Sequence, residues 1–235
     1  MMTAPHNIST GSRRLDDLLG GGVSQSAVTL VYGEPSSGKT SFAITVTANH
    51  LRSEPAAKAI YIDADGKLSL PRLLEVFDTK IPDILKRIIY AKPINFEAQG
   101  ETIGELPEKL EKGDLLILDS ITGLYRVETG DALKTWAENK ELNRQLGQLK
   151  EIALTCKVAL ILTGQVHAII DSATPQIEPV AQRLLRFWSD TIIRLETTSQ
   201  KGIRRVIVEK PETHRGSTRV QITAAGVADE EEGVW

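Results

Sequence analysis

The sequence predicts an α/β fold with a mainly parallel central sheet flanked by helices and an antiparallel pair of strands at its C-terminal edge. Short apolar runs alternate with segments of helical periodicity along most of the chain, which is typical of βαβ units. A glycine-rich turn joins the first apolar run to the first helical segment. The last two apolar runs have no helical segment between them, and this predicts the antiparallel pair.

Each predicted strand is a short apolar run bounded by polar or turn-forming residues, as expected for a buried strand. The first precedes the glycine-rich turn, and the fourth ends in Asp119. In order, the predicted strands cover residues 27–32, 58–63, 87–91, 115–119, 158–163, 191–195, 204–209 and 218–223.

The predicted helices lie between these strands, where apolar residues recur every three or four positions. They cover residues 39–52, 70–77, 96–110 and 131–154. Pro107 lacks a backbone donor, so we expect the third helix to bend or to end early there. Residues 165–182 have weak periodicity and predict a long loop, and a loop of this length is usually functional or mobile.

Composition indicates an ordinary globular protein. The chain has 235 residues, of which 41% are hydrophobic and 25% charged, and its single cysteine, Cys156, excludes an internal disulfide. No apolar run approaches the roughly 20 residues of a membrane span, so we expect a cytoplasmic protein without a membrane partner. The net charge of −3 gives no overall attraction to nucleic acid. Residues 181–220 nevertheless carry nine Lys or Arg against four Asp or Glu, and residues 229–235 predict an acidic tail.

Residues Gly33 to Thr40 match the phosphate-loop pattern G-x-x-x-x-G-K-[ST] at every position. Glycines let backbone N–H groups face phosphate oxygens, and the following helix N-terminus adds positive potential. The pattern therefore predicts binding of a nucleoside triphosphate, which we take to be ATP. The expected contact residues are Gly33, Glu34, Pro35, Ser36, Ser37, Gly38, Lys39, Thr40 and Ser41.

Three residues have a predicted role in phosphate and metal chemistry. Lys39 is expected to reach the terminal phosphates and to stabilise their charge during catalysis. Asp119 ends an apolar strand, and carboxyl ends of strands line the ligand crevice of open α/β sheets. Thr40 and Asp119 are therefore predicted to hold a magnesium ion, Mg²⁺.

A hydrolase of this kind also needs a side chain that orients the attacking water. Asp63 and Asp65 follow the second strand and are candidates. Asp63 is equally suited to cap the strand end, and Asp65 to form a turn before Gly66. Gln165, directly after the fifth strand, is placed to sense the γ-phosphate.

Several blocks of sequence resemble the RecA/RadA recombinase superfamily, and most of all its short archaeal RadB branch. These are I-S-T-G-S-R-R-L-D-D-L-L-G-G-G at 8–22, the phosphate loop, I-D-A-D-G at 62–66, L-D-S-I-T at 118–122, Y-R-V-E at 125–128 and T-G-Q-V-H at 163–167. The resemblance extends over about residues 8–228. It implies a single RecA-like P-loop NTPase core over residues 1–235, without the helical DNA-binding domain of full-length RadA.

The resemblance also implies a role for Asp65, at a position where this sequence departs from the family pattern. Asp65 stands where the family has a glutamate that polarises the hydrolytic water, and it is one methylene shorter. Because a misplacement of about 1 Å can cost on the order of a hundredfold in rate, we expect slow hydrolysis. Without the family's polymerisation linker, long filaments are not expected, although a homo-oligomer with nucleotide at the interface is consistent with the family.

Two loops after the fourth and fifth core strands face DNA in this family. Their counterparts here lie near residues 125–131 and within 166–182. The second carries two carboxylates and no Lys or Arg, so by itself it should repel phosphate.

The candidates for contact with single-stranded DNA are therefore Arg126, Arg183 and Arg186. The last two lie just before Phe187 and Trp188, and an arginine–aromatic cluster can stack on bases. For Phe187 and Trp188, a position in the protein core is favoured over contact with DNA. For Arg183 and Arg186, DNA contact and a structural role are equally supported.

Three functions are consistent with these features. The first is an ATP-binding protein of recombination and DNA repair, with weak ATPase activity and with single-stranded DNA, a recombinase or another repair protein as partner. The second is a KaiC-like ATPase of signalling or assembly, and the third is a non-catalytic module that keeps nucleotide for folding. The Y-R-V-E and Q-V-H segments favour the first.

Overall fold

The computed structural model describes residues 7–77, 82–128, 132–169, 176–179 and 181–230. The strands are β1 Val28–Gly33, β2 Ala59–Asp63, β3 Ile88–Ala91, β4 Leu115–Asp119, β5 Ala159–Gly164, β6 Val166–Ile169, β7 Gln176–Pro179, β8 Thr191–Thr197, β9 Ile203–Lys210, β10 Gly216–Thr223 and β11 Gly226–Asp229. The helices are α1 Arg13–Leu18, α2 Lys39–Ser53, α3 Leu70–Phe77, α4 Pro82–Leu85, α5 Phe96–Gly104, α6 Gly123–Glu128, α7 Ala132–Thr155 and α8 Gln182–Trp188.

Nine of these strands form one sheet in the order β11-β10-β9-β8-β1-β5-β4-β2-β3. The strands from β8 through β1, β5, β4 and β2 to β3 are parallel to one another. Strands β9, β10 and β11 continue the sheet in antiparallel pairs. The predicted fold class, a mainly parallel sheet with antiparallel strands at the C-terminal edge, is confirmed.

Strands β1, β2, β4 and β5 are buried on both faces of the sheet, and successive residues of one strand belong to different cores. In β4, Leu115 and Ile117 join the core that includes Phe42 of α2, whereas Leu116 packs with Leu149 of α7 on the other face. Burial of each such side chain contributes roughly 1.5–3 kcal/mol. The carboxyl ends of the parallel strands are thus held by packing from both sides.

The two ends of the described chain meet at helix α1. Ser12 caps this helix by accepting a hydrogen bond from the backbone N–H of Leu15. The Ser12 hydroxyl in turn donates to Asp229, the last residue of β11, at 2.5 Å. The backbone N–H groups of Arg13 and Arg14 donate to the same carboxylate, each at 3.2 Å. Within the predicted acidic tail, Asp229 is therefore a helix-capping residue, and residues 231–235 lie outside the described residues.

Two segments differ from or refine the sequence prediction. The helix that begins at Phe96 ends at Gly104, and a 3-10 turn follows over Leu106–Glu108, as the missing donor of Pro107 predicts. The prediction of a loop over 165–182 was wrong in part, because β6 and β7 pair there in antiparallel fashion. Strands of four residues are too short for a clear two-residue period. No helix in the described part of the chain is long and apolar enough to cross a membrane.

Candidate phosphate-binding site

Four parallel strands bring their polar ends to one edge of the sheet. Strands β1, β5, β4 and β2 are neighbours and end at Gly33, Gly164, Asp119 and Asp63. A cavity of about 360 Å³ opens at this edge and is lined by the phosphate loop together with Asp65, Lys67 and Gln165. This is the crevice in which open α/β sheets bind ligands.

The predicted contact residues lie around this cavity with two differences. The residues that line it are Gly33, Pro35, Ser36, Gly38, Lys39, Thr40 and Ser41. Ser37 is fully buried, and the Glu34 carboxylate accepts a hydrogen bond from the Thr197 hydroxyl at 3.4 Å. The sequence pattern alone therefore does not distinguish residues that face the cavity from those that support the loop.

Backbone geometry at the end of the phosphate loop requires glycine. Gly38 precedes helix α2 with a φ of 107°, a conformation that side chains disfavour. A Cβ at this position would also overlap the Cδ1 atom of Ile222 on β10. Because the first N–H groups of a helix have no intrahelical acceptor, the start of α2 offers donors to an anion in the cavity.

Lys39 places a positive charge against main-chain oxygens. Its Nζ donates to the carbonyl of Gly33 at 2.8 Å and to that of Glu34 at 2.7 Å. Burial lowers the pKa of Lys39, because a desolvated ammonium is less stable than a hydrated one. Neutral carbonyls satisfy its hydrogen bonds without cancelling its charge, so it can attract a phosphate.

Asp119, at the end of β4, accepts hydrogen bonds from three hydroxyl groups. Its buried carboxylate accepts hydrogen bonds from Thr40 Oγ1 at 2.7 Å, from the Tyr61 hydroxyl at 2.8 Å and from Thr163 Oγ1. Burial, reinforced by Asp119, raises the pKa of Tyr61, so its hydroxyl stays protonated and donates. The structure thus brings Thr40 and Asp119, the predicted magnesium ligands, into direct contact.

Asp65 lies in a second polar cluster beside the first. Its carboxylate accepts from Gln165 Nε2 at 3.1 and 3.0 Å and from the Ser120 hydroxyl at 3.0 Å. Lys67 Nζ lies 2.8 Å from the same group. Gly123 is needed nearby, because a Cβ there would overlap Asp65 Oδ1. Two of the three predicted catalytic residues, Asp65 and Gln165, are therefore in contact with each other.

Asp63, the alternative water-orienting candidate, has a structural role. Its buried carboxylate accepts from the backbone N–H groups of Lys67 and Leu68, both at 3.0 Å. It also accepts from the Tyr90 hydroxyl at 3.1 Å. Asp63 therefore caps the turn after β2 and fixes the backbone on which Asp65 stands.

The antiparallel edge of the sheet supports the phosphate loop in a way that sequence reasoning missed. Arg204 of β9 donates from Nε to the carbonyl of Ser37 at 3.0 Å and from Nη2 to that of Ser36 at 3.3 Å. Arg72 of α3 donates to the carbonyl of Thr223 at 2.8 Å and lies 3.5 Å from the Ser41 hydroxyl. These partners are far apart in the sequence, and no local pattern predicts them.

The predicted DNA-contact residues differ in their surroundings. Arg186 donates to Glu209 at 2.6 Å, and the same carboxylate accepts from the Tyr32 hydroxyl at 2.7 Å. Arg183 is exposed on α8. The side chain of Arg126 lies outside the described residues. Of the two arginines whose side chains are described, Arg183 is exposed and Arg186 is paired with a carboxylate.

The two aromatic residues of α8 differ in their exposure to solvent. Trp188 packs against the core that includes Leu116 and Leu149, and its Nε1 donates to Asn143 at 2.9 Å. Phe187 is 72% exposed and meets the Trp188 ring edge-on, with ring centroids 5.0 Å apart. The expected core position is thus correct for Trp188 and wrong for Phe187, since consecutive side chains of a helix point in different directions.

The donors around the cavity fit a magnesium-bound polyphosphate. Oxygen ligands such as those of Thr40 and Asp119 suit Mg²⁺, which commonly keeps several waters and takes the rest of its shell from substrate phosphates. No group of three or more His, Cys, Asp or Glu within the described ranges could hold a metal by itself.

Comparison with known proteins identifies similar chains. The sequence profile of the Rad51 family matches residues 4–230. A "DNA repair and recombination protein RadB" of Methanosphaera stadtmanae is 35% identical over 202 residues, covering 85% of each chain. The protein of that name from Methanococcus maripaludis strain C7 is 37% identical over 83% of this chain and 87% of its own. That of Halobacterium salinarum is 30% identical over 94% of both chains.

Proposed function

The chain belongs to the Rad51 family of the RecA/RadA superfamily, and from this membership we propose that it is an ATP-binding, RadB-like protein of DNA recombination and repair. Its relatives named as DNA repair and recombination proteins cover most of the chain. Its own contribution to repair would begin with magnesium-dependent ATP binding at the phosphate loop.

The observation that carries this proposal is the contact between Thr40 and Asp119 beside Lys39. The Thr40 hydroxyl and the Asp119 carboxylate lie 2.7 Å apart, and they come from the start of α2 and the end of β4. Lys39 faces the same cavity. A hydroxyl, a carboxylate and an ammonium in this arrangement suit a magnesium-bound triphosphate. When bound, Mg²⁺ would neutralise part of the charge on the β- and γ-phosphates.

We propose that hydrolysis is slow. A water oxygen would bond to the γ-phosphorus while the bond from that phosphorus to the bridging oxygen of ADP breaks, and Asp65 would accept the water's proton. The Asp65 carboxylate is already engaged by Ser120, Gln165 and Lys67. An engaged and short carboxylate is a poor base for a water that must be placed to within about 1 Å.

The proposed partners are single-stranded DNA and a recombinase or other repair protein. The names of the relatives support a role in repair over that of a KaiC-like signalling ATPase. Assembly into a homo-oligomer with nucleotide at the interface is also consistent with family membership.

Isothermal titration calorimetry of the whole chain with Mg-ATP tests the shared core of the proposal. We expect saturable binding, with a clear loss of affinity when EDTA removes the magnesium. Absence of any heat of association at millimolar nucleotide would reject ATP binding.

A titration of fluorescent single-stranded DNA tests the repair role. We expect binding that depends on ATP and weakens from 50 to 200 mM salt, because phosphate contacts release counterions. If ATP binds but DNA does not bind at low salt with or without nucleotide, the DNA-binding part of the proposal is wrong.

A further inference from the structure

Lys67 is a cavity-lining lysine outside the phosphate-loop pattern. It follows Gly66, whose φ is 65°, in the turn after β2. The Asp63 carboxylate holds the backbone N–H of Lys67 at 3.0 Å, so the main chain here is fixed by a buried cap. The Lys67 side chain extends from that fixed point and lines the same cavity as Lys39 and Asp65.

The side chain of Lys67 can exchange its partner. It is 66% exposed, and its ammonium lies 2.8 Å from Asp65 Oδ2. The Asp65 side chain is only 10% exposed, but solvent screens the pair from the lysine side, and ordering a long side chain costs entropy, which weakens the pair. Asp65 would keep its hydrogen bonds from Ser120 and Gln165 if Lys67 moved away.

The cavity is lined by two lysines, Lys39 and Lys67. The Lys39 ammonium donates to the neutral carbonyls of Gly33 and Glu34, so its positive charge stays available to a ligand. Two neighbouring cations are best accommodated by a ligand with several negative charges. Among nucleotides, a triphosphate meets this requirement better than a diphosphate.

We propose that Lys67 is a second phosphate-binding lysine, which exchanges its ion pair with Asp65 for contact with the terminal phosphate of a bound nucleoside triphosphate. The proposal deepens the function proposed above and rests on it. Lys67 would then determine the preference for ATP over ADP. Asp65 would lose its ion pair with Lys67 only when the third phosphate is present.

Calorimetry with Mg-ADP and with a non-hydrolysable ATP analogue tests this assignment. Lys67→Met keeps the chain length and removes the charge. It should weaken binding of the analogue about tenfold, the usual scale of one charge-assisted hydrogen bond, and change ADP binding less than twofold. Lys67→Arg should restore most of the loss. Lys92→Met is the matched control, because Lys92 is exposed and lies beside Gly66.

A double variant separates phosphate contact from simple neutralisation of Asp65. If Lys67 contacts phosphate, Lys67→Met should weaken analogue binding about tenfold even in an Asp65→Asn background. No loss in that background, or equal losses for ADP and the analogue, would overturn the assignment. A wild-type chain that binds neither nucleotide would instead reject the proposed function itself.

Discussion

Basic side chains in the phosphate loop and in helix α8 meet different partners. Lys39 donates to the carbonyls of Gly33 and Glu34, which are neutral. Arg186 donates to the carboxylate of Glu209 at 2.6 Å, which also lies 3.4 Å from Arg194. A carbonyl satisfies a hydrogen bond and leaves the positive charge available, whereas a carboxylate offsets it.

The same difference explains why a count of charges in the sequence is a poor guide to an anion-binding surface. Several arginines of the basic segment 181–220 are engaged within the fold. Arg204 supports the phosphate loop, Arg205 lies 3.8 Å from Glu196 and Arg215 lies 3.2 Å from Glu212. The nucleotide site and the DNA-contact candidates therefore call for different experiments.

The strongest test of the comparison removes the charge from the phosphate loop. Lys39→Ala should raise the dissociation constant of Mg-ATP about a hundredfold, because a loss of about 3 kcal/mol in charge-assisted contacts corresponds to that factor. Calorimetry measures the change. Lys201→Ala, in the exposed turn between β8 and β9, is the control, and a loss below threefold for Lys39→Ala would contradict the role assigned to this lysine.

The second test concerns the reach of the carboxylate in the same cavity. Asp65→Glu should raise the rate of ATP hydrolysis about tenfold if the missing methylene limits the placement of water. Release of inorganic phosphate under saturating Mg-ATP measures it. An unchanged or lower rate, with ATP affinity retained, would show that reach is not the limit.

The third test examines helix α8 by removing the partner of Arg186. Glu209→Gln should free the guanidinium charges of Arg186 and Arg194 and strengthen single-stranded DNA binding severalfold at low salt, with a steeper salt dependence. Glu212→Gln removes the same formal charge from an exposed pair with Arg215 and serves as the control. Equal effects of both variants would assign the gain to net charge alone.

The smallest expected effect is a pH dependence of nucleotide binding. Because burial lowers the pKa of Lys39, its ammonium loses its proton at a lower pH than an exposed lysine. ATP affinity should therefore be highest below this lowered pKa and should fall as the pH rises through it, at a lower pH than for an exposed lysine. In Lys39→Arg, whose guanidinium stays charged, the affinity should vary less over the same range. Parallel slopes for the two proteins would contradict the assignment.

Sequence reasoning predicted the main features of the fold and less of the detail around the site. The parallel strands and the phosphate loop follow from apolar runs and from a contiguous pattern. Strands β6 and β7 and the exposure of Phe187 did not follow, because each depends on which surface a short segment meets. Asp63 was left with two interpretations, and its bonds to the N–H groups of Lys67 and Leu68 favour the capping role.

The order of residues along the chain by itself determined where Gly38, Lys39 and Thr40 stand, since a phosphate loop is a local backbone conformation between a strand and a helix. Only the tertiary structure decided which charges have partners. Tyr61 and Thr163 reach Asp119, and Glu209 reaches Arg186, across long separations in sequence. Such contacts depend on distances in space between residues from different strands and helices, and periodicity and motif spacing along one chain do not contain those distances.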